Sequence, residues 1–293
     1  MKTYDIFIDF ECICGGFARR LNKSFNQIPL SYTIGYRNKQ KETKTCFEIF
    51  DFKKKISNNN NFTNYILEDF SKSLIVNINK IINRKEKEVI KIEEINFIGW
   101  NPSLEEQLLS SMFKRKVPTN SLINTCFDES NLITKREVSL SKVTKKGYKD
   151  TKYFVEFRKE VAKSLSPEDI AKFNLNHDGA IASYAGFVLY NIIMKTKKTK
   201  FHIYMSAEIL TRELKEYSLD DINRMYYFID NIPEVKSTMR KFKIVDGLKK
   251  EINSNVRLLE LLQNYNPNIK IKDLIKKLEI NNDESKKKIE LFE

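Results

Sequence analysis

The chain has 293 residues, of which 41% are apolar, and its formal net charge is +13. This length allows one large domain with a smaller one, and the apolar content is enough to fill a core. No apolar run approaches the roughly 18 residues that a membrane span needs. The opening residues contain acids and lack the pattern of a signal peptide. We therefore predict a cytoplasmic protein without a membrane segment.

The cysteine spacing indicates whether a zinc site is present, and the net charge indicates the kind of partner. Of the four cysteines, only Cys12 and Cys14 are close, and the chain has just two histidines. A C-x-C pair with so few histidines argues against a zinc site. The positive charge favours a polyanionic partner such as nucleic acid. An AT-rich genome would also give abundant Lys, Asn and Ile, so the charge leaves both explanations open.

The first half of the chain alternates strand and helix patterns. A loop is expected at Gly15 and Gly16, because so few glycines occur elsewhere. The predicted strands and helices follow one another in the order β-β-β-α-β-α, which indicates a mixed α/β sheet flanked by helices. The predicted strands cover 4–10, 28–37, 45–52 and 94–100, a polar loop covers 53–61, and helices cover 62–84 and 101–113.

The second half is predicted to be mainly helical. Ser166 and Pro167 are typical of a helix start, which predicts a capped helix over 166–173. From about residue 196 the chain reads as charged amphipathic helices without strand signals, so we predict a domain over 1–195 and a helical C-terminal region over 196–293. Short elements are expected over 121–133 and 138–148, and an apolar helix with small residues over 177–195.

Two acids lie in the first predicted strand, within "FIDFE". Asp9 and Glu11 are two residues apart and therefore share one face of the strand. Carboxylates that converge at a strand end are typical ligands of hard cations such as Mg²⁺. A solvated strand end would give the same pattern, and the short motif alone favours that explanation.

A second motif, "GWNPSLE", follows the fourth predicted strand. Asn101 ends the strand, and Glu105 comes four residues later in the first turn of a helix. An acid there also suits the helix dipole, which is the alternative explanation for Glu105. Glu106 points about 100° away around the helix and is expected to face solvent.

These motifs, with an acid in "HDGAIA" on a late helix, resemble the three exonuclease motifs of the DEDD (DnaQ-like) nucleases, which have an RNase H-like fold. The segments "IDFECI", "NQIPLSYTIGYR", "WNPSLE", "SLSKV" and "DGAIASY" resemble, more narrowly, an uncharacterised bacterial branch of that superfamily. The resemblance covers roughly residues 3 to 195. It implies a 3′–5′ exonuclease with an RNase H-like mixed sheet, and it does not extend to residues 196–293.

The resemblance also implies site residues. Asp9 and Glu11 match the first motif, Glu105 the second and Asp178 the third, and together they would hold two divalent cations, Mg²⁺ or Mn²⁺. Members of the family add a general base, His five residues or Tyr four residues before the last Asp. Neither offset from Asp178 gives such a residue, and His177, which is adjacent to it, is the candidate base. The alternatives are a local hydrogen bond of His177 at the helix start and a metal-bound hydroxide that needs no base.

A Tyr-x-x-x-Asp spacing does occur later in the chain, and it leaves the third motif open. Tyr217 precedes Asp221, and Tyr226 precedes Asp230, by four residues. Both pairs fall in the charged C-terminal helices, where we expect them to form exposed faces. The small residues of "DGAIASYAG" suit a helix packed on a sheet, and Asp178 is therefore preferred.

Substrate contacts are expected from four residues around the motifs. Asn101 would position the nucleotide, and Trp100 would stack on a terminal base or else belong to the core. Phe10 would pack behind the acids, and Arg19 would bind phosphate or remain solvated. Gln27 and Tyr32 could shape the cleft, but packing within the sheet is the favoured interpretation for both.

Three functions compete at this point. The first is a metal-dependent 3′–5′ exonuclease acting on single-stranded RNA or DNA, or on short oligonucleotides. The second is a catalytically weak DEDD-like module that binds nucleic acid or a protein, which the Glu at position 105 and the displaced base favour. The third is a structural or regulatory protein whose acids have no shared role.

Overall fold

A computed structural model describes residues 3–54, 62–84, 89–126, 140–145, 147–148, 151–196, 199–263 and 269–291. The chain divides into two compact units. Unit 1 comprises Met1–Ser130 and Leu140–Tyr227, and unit 2 contains the helices from Phe228 onward. The change of character predicted near residue 196 therefore falls inside unit 1.

Unit 1 is organised around a five-stranded mixed sheet with the order β3-β2-β1-β4-β5. The central strand β1 pairs antiparallel with β2 and parallel with β4, while β3 and β5 extend the two sides in the same senses. The predicted α/β class and mixed sheet are thus confirmed. The strands are β1 Tyr4–Cys14, β2 Gln27–Arg37, β3 Thr43–Ile49, β4 Ile95–Gly99 and β5 Thr119–Ser121.

Ten α-helices occur in the described residues, and the region after residue 206 is helical, as predicted. The helices of unit 1 are α1 Gly15–Leu21, α2 Phe62–Ile81, α3 Ser103–Phe113, α4 Leu140–Thr144, α5 Val155–Ser164, α6 Pro167–Lys172 and α7 Asp178–Ile193. Helix α8, Ala207–Asp230, begins in unit 1, and α9, Ile232–Gln263, and α10, Ile269–Glu290, belong to unit 2. None of the described helices is both long and apolar enough to cross a membrane.

One face of the sheet packs against α2. The alternation along β1 turns Ile6, Ile8 and Phe10 to this side, where all three are buried. On the neighbouring strand, the Tyr32 ring meets Phe70 of α2 edge-on at 5.2 Å. Its hydroxyl lies 2.9 Å from the hydroxyl of Ser73 on the same helix. Side chains of β1, β2 and α2 therefore pack together on this face.

The opposite face is covered by α8. Phe7 of β1 meets the Tyr226 ring at 4.7 Å. Gly35 lies directly opposite Phe7 on β2, and a side chain there would collide with Tyr226 and Ile222. The glycine therefore lets the helix approach the strand closely. This packing explains why unit 1 continues through α8 instead of ending near residue 196.

Two further expectations need correction. Gly15 and Gly16 do not form a loop: they open α1, and Gly15 takes a φ of +55° at the strand-to-helix junction. Helix α5 has no counterpart among the predicted elements. The capped helix was correctly predicted, since Ser166 Oγ accepts a hydrogen bond from the Asp169 amide at 3.2 Å. Of the elements expected over 121–133 and 138–148, residues 127–139 lie outside the described residues.

We expect Gly35→Ala to lower the free energy of unfolding by about 1–3 kcal/mol. The added Cβ would lie 2.4 Å from Tyr226 Oη and 2.6 Å from Ile222 Cγ2, so α8 would have to shift. Urea denaturation followed by circular dichroism measures the change. Gly179→Ala is the control, because its Cβ would meet nothing within 4 Å. Equal destabilisation by the two substitutions would contradict the close packing of α8 on β2.

Candidate metal centre

Asp9 and Glu11 project from β1 on the face that α8 covers. They follow Phe7 in the strand alternation and lie opposite Thr33 and Ser31 of β2. Both acids are half-buried, and the hydroxyl oxygens of Thr33 and Ser31 are buried without hydrogen-bond partners among the described residues. The two acids therefore share one face, as predicted from their spacing.

Asp221 of α8 completes a group of three carboxylates with Asp9 and Glu11. One oxygen from each residue lies within 4.8 Å of the others. Asp9 Oδ2 is buried and has no hydrogen-bond partner in the described part of the chain. A carboxylate oxygen in this condition is costly unless it binds a proton or a cation. The three carboxylates therefore leave Asp9 Oδ2 without a partner, and a proton or a cation could supply one.

The carboxylates raise one another's pKa values. Burial, with the charge of Glu105, raises the pKa of Asp9 to about 8. Burial and the neighbouring acids Asp9 and Asp221 also raise the pKa of Glu11 well above its usual range. Burial and Asp9 do the same to the pKa of Asp221, which Arg224 only partly opposes. Without a cation, the cluster therefore tends to retain protons at neutral pH.

Glu105 lies beside this group, at the first turn of α3. Helix α3 starts where β4 ends, and the parallel pairing of β1 and β4 brings that end close to the acids of β1. Glu105 is only 8% exposed. Burial raises its pKa to about 7, although the backbone N–H groups of Glu105 and Phe10 donate to the carboxylate and oppose the rise. Glu105 thus adjoins Asp9 but is not part of the group of three.

Tyr217 lies one helical turn before Asp221 on α8 and faces the same cluster. Its hydroxyl donates a hydrogen bond to the Asp221 carboxylate, which lowers the pKa of that acid. Burial, followed by the charges of Asp221, Glu11, Asp9 and Asp178, raises the pKa of Tyr217 well above its usual range. In the metal-free protein Tyr217 is therefore a protonated phenol at neutral pH, a donor and not a phenolate base.

The structure places Asp178 and His177 outside the group of three. Asp178 begins α7 and accepts a hydrogen bond from Arg158 Nη2 at 2.7 Å. It is close enough to Tyr217 to affect its pKa, so it lies at the rim. His177 is exposed, and its backbone serves as the helix cap. Asp221 of α8, and not the predicted Asp178 of α7, therefore lies with Asp9 and Glu11 in the group of three carboxylates.

The substrate-side candidates occupy different environments. Phe10 is 4% exposed and packs on Tyr32 at 6.0 Å, so it belongs to the core as expected and cannot reach a substrate. Trp100 is half-buried and Asn101 is exposed, both at the end of β4. Arg19 is exposed, with its Nη1 3.3 Å from Asn26 Oδ1. Contacts of these last three residues with substrate stay a prediction.

The packing interpretation of Gln27 and Tyr32 is confirmed. Gln27 Nε2 donates to Cys12 Sγ at 3.2 Å, and Tyr32 is fully buried. Cys12, Cys14 and Cys46 are free thiols, and none of them belongs to the group of three carboxylates.

Sequence reasoning found the spacing of Tyr217 and Asp221 but expected both on an exposed helical face. That expectation was wrong for this pair and for Tyr226, which is buried. The signal that could have found them is the interval of four residues. It places the phenol and the carboxylate on the same side of a helix, one turn apart.

Comparison of the chain with protein-family models, curated proteins and solved structures found no match. The donor chemistry of the cluster is therefore judged on its own residues. The group of three offers only carboxylate oxygens, and one of these, Asp9 Oδ2, is buried without a hydrogen-bond partner among the described residues. Such a set fits a hard divalent cation, for which Mg²⁺ and Mn²⁺ are the candidates.

We expect the metal-free protein to lose stability as the pH rises from about 4 to about 8. The folded state raises the pKa of Asp9 to about 8 and that of Glu105 to about 7. It therefore binds protons more tightly than the unfolded chain, and this contribution disappears as those protons leave. Asp9→Asn should raise the free energy of unfolding at pH 8 by roughly 1–3 kcal/mol.

Urea denaturation in chelator at pH 5.5 and pH 8 measures this difference. Glu106→Gln, on the same turn of α3 but outside the cluster, is the matched control and should follow the wild type. Mn²⁺ should stabilise the wild type more at pH 8 than at pH 5.5, and Asp9→Asn much less. If the free energy of unfolding changed equally between pH 5.5 and pH 8 in the wild type and in Asp9→Asn, mutual repulsion in the cluster would be refuted.

Proposed function

We propose that the protein is a metal-dependent 3′–5′ exonuclease that hydrolyses phosphodiester bonds of single-stranded RNA or DNA. The observation that carries the proposal is the convergence of Asp9, Glu11 and Asp221, with one oxygen of each within 4.8 Å of the others. An acidic group of this kind, in a chain of net charge +13, suits a polyanionic substrate that binds with cations.

The fold and the order of the motifs support the same proposal. The mixed sheet with a long central β1 is compatible with an RNase H-like fold. The acids come from β1, from the helix after β4 and from a late helix, in the order of the DEDD motifs that the sequence resembles. With Asp221 as the last acid, Tyr217 stands four residues before it. This is the spacing of the subgroup with tyrosine, although burial raises the pKa of Tyr217, so that it serves here as a hydrogen-bond donor and not as the base.

The residues of the cluster divide the work of such a reaction. Asp9, Glu11 and Asp221 would hold the cations, with Glu105 next to Asp9 as a further oxygen donor. Bound divalent cations would neutralise the carboxylates and stabilise charge on the attacking water, the phosphate and the leaving 3′ oxygen. Tyr217 keeps its proton and donates it to a hydrogen bond with Asp221, which fixes the orientation of that carboxylate.

A second candidate is a DEDD-like module that binds nucleic acid without efficient cleavage. The environment of Glu105 favours it: backbone N–H groups already engage this carboxylate, and it is not one of the three that converge. A site that holds one cation well and the second weakly would bind substrate and cleave slowly.

The exonuclease proposal predicts that Asp221→Asn, but not Asp178→Asn, abolishes cleavage. We expect a loss of at least about 100-fold in kcat for Asp221→Asn and for Asp9→Asn. Asp178→Asn is the matched control, because its carboxylate pairs with Arg158 instead of joining the cluster. The assay follows 3′- and 5′-labelled RNA and DNA in Mn²⁺ or Mg²⁺, with chelator as the blank.

Three outcomes separate the candidates. Shortening from the 3′ end that needs the cation and Asp221 supports the exonuclease. Metal-dependent binding without cleavage, measured by fluorescence anisotropy, supports the binding module. Loss of activity in Asp178→Asn with full activity in Asp221→Asn would refute the site assignment, and calorimetric titration with Mn²⁺ gives an independent check on which acids bind.

A further inference from the structure

Phe154 takes a backbone conformation that is unusual for a bulky residue. It is the N-terminal cap of α5, with φ 55° and ψ 39°, in the left-handed region. Its side chain is only 2% exposed. A non-glycine residue in this region is strained, and it persists only where the surrounding contacts determine it.

Contacts from two directions fix this conformation. The Glu213 carboxylate of α8 is only 6% exposed and accepts the backbone N–H groups of Glu156 at 2.9 Å and Phe157 at 3.1 Å. Arg158 donates its backbone N–H to the Phe154 carbonyl at 2.8 Å, and its Nε to the Tyr153 carbonyl at 3.2 Å. A buried carboxylate on one helix thus caps another helix and holds the turn before it.

The turn presents two aromatic rings to Tyr217. The ring of Phe154 lies 5.4 Å from that of Tyr217, and the ring of Tyr153 lies 5.1 Å from it. The Tyr153 hydroxyl is hydrogen-bonded to Asp220, so this ring is fixed as well. Since the Tyr217 hydroxyl meets the acid cluster through Asp221, the two rings restrict the side-chain torsions that aim it there.

We propose that the Tyr153–Phe154 turn, held by Glu213, is a positioning device for Tyr217, and that Phe154 is a positioning residue. The proposed nuclease function enters only through the expected effect on catalysis, whereas the orientation of Tyr217 can be measured without activity.

The test is ring NMR of the metal-free protein labelled with [¹³Cε]tyrosine. The Tyr217 signal is identified by its loss in Tyr217→Phe. We expect Phe154→Ala to shift and broaden this signal, because the ring gains alternative orientations. Phe154→Leu, which restores apolar bulk, should restore most of the wild-type line width. Val155→Ala is the control, since Val155 is the next residue and is 44% exposed.

A second pair of variants leaves the rings in place. Glu213→Gln weakens the cap of α5 and should broaden the Tyr217 signal. Glu216→Gln, on the exposed face of the same helix, should not. If the protein cleaves nucleic acid, Phe154→Ala and Glu213→Gln should lower kcat by about 10- to 100-fold with KM little changed.

The NMR results test the positioning device separately from the nuclease proposal. A shifted Tyr217 signal without any cleavage by the wild type supports the positioning device and refutes the exonuclease. An unchanged Tyr217 signal in a folded Phe154→Ala variant overturns the positioning device. If Phe154→Ala unfolds, an unchanged signal in Glu213→Gln overturns it equally.

Discussion

The repulsion among carboxylates beneath α8 is the constraint on which the arrangement of unit 1 depends. Asp9 and Glu11 leave the central strand toward a helix that carries a third acid, and burial raises the pKa values of all three. Close approach of α8, which Gly35 permits, therefore requires either protons or cations between the layers. A cation that binds only the folded state adds its binding free energy to the stability of the fold. Binding of a cation by these carboxylates would therefore favour the docking of α8 on the sheet.

The sequence revealed the acids whose placement is local. Asp9 and Glu11 share a face because a strand alternates, and Glu105 approaches them because a helix starts where a parallel strand ends. Asp221 depends instead on which helix covers the sheet. Helix α8 buries charged residues such as Glu213 and Arg224, so its sequence reads as a solvated amphipathic helix. Glu213 accepts hydrogen bonds from backbone groups 56 and 57 residues away, and Arg224 reaches Thr144, 80 residues away, so local patterns cannot reveal these contacts.

The same limit explains the remaining differences. Gly15 and Gly16 suggested a loop, yet the positive φ of Gly15 makes a sharp junction between β1 and α1. Helix α5 lacks a conventional cap, since Glu213 supplies one from another element. Its start therefore carries no sequence signal of the kind that identified Ser166. Contacts between elements that are distant in sequence, and not a local sequence pattern, bring Tyr217 and Asp221 to the cluster.

The distance along the chain between the first and last acids has a consequence for biosynthesis. About 210 residues separate Asp9 from Asp221, and at a synthesis rate of about 5–20 residues per second the second follows the first by roughly 10–40 s. During that interval β1 exists without the helix that completes the carboxylate group. A nascent chain therefore carries Asp9 and Glu11 for roughly 10–40 s before the third carboxylate of the group has been made.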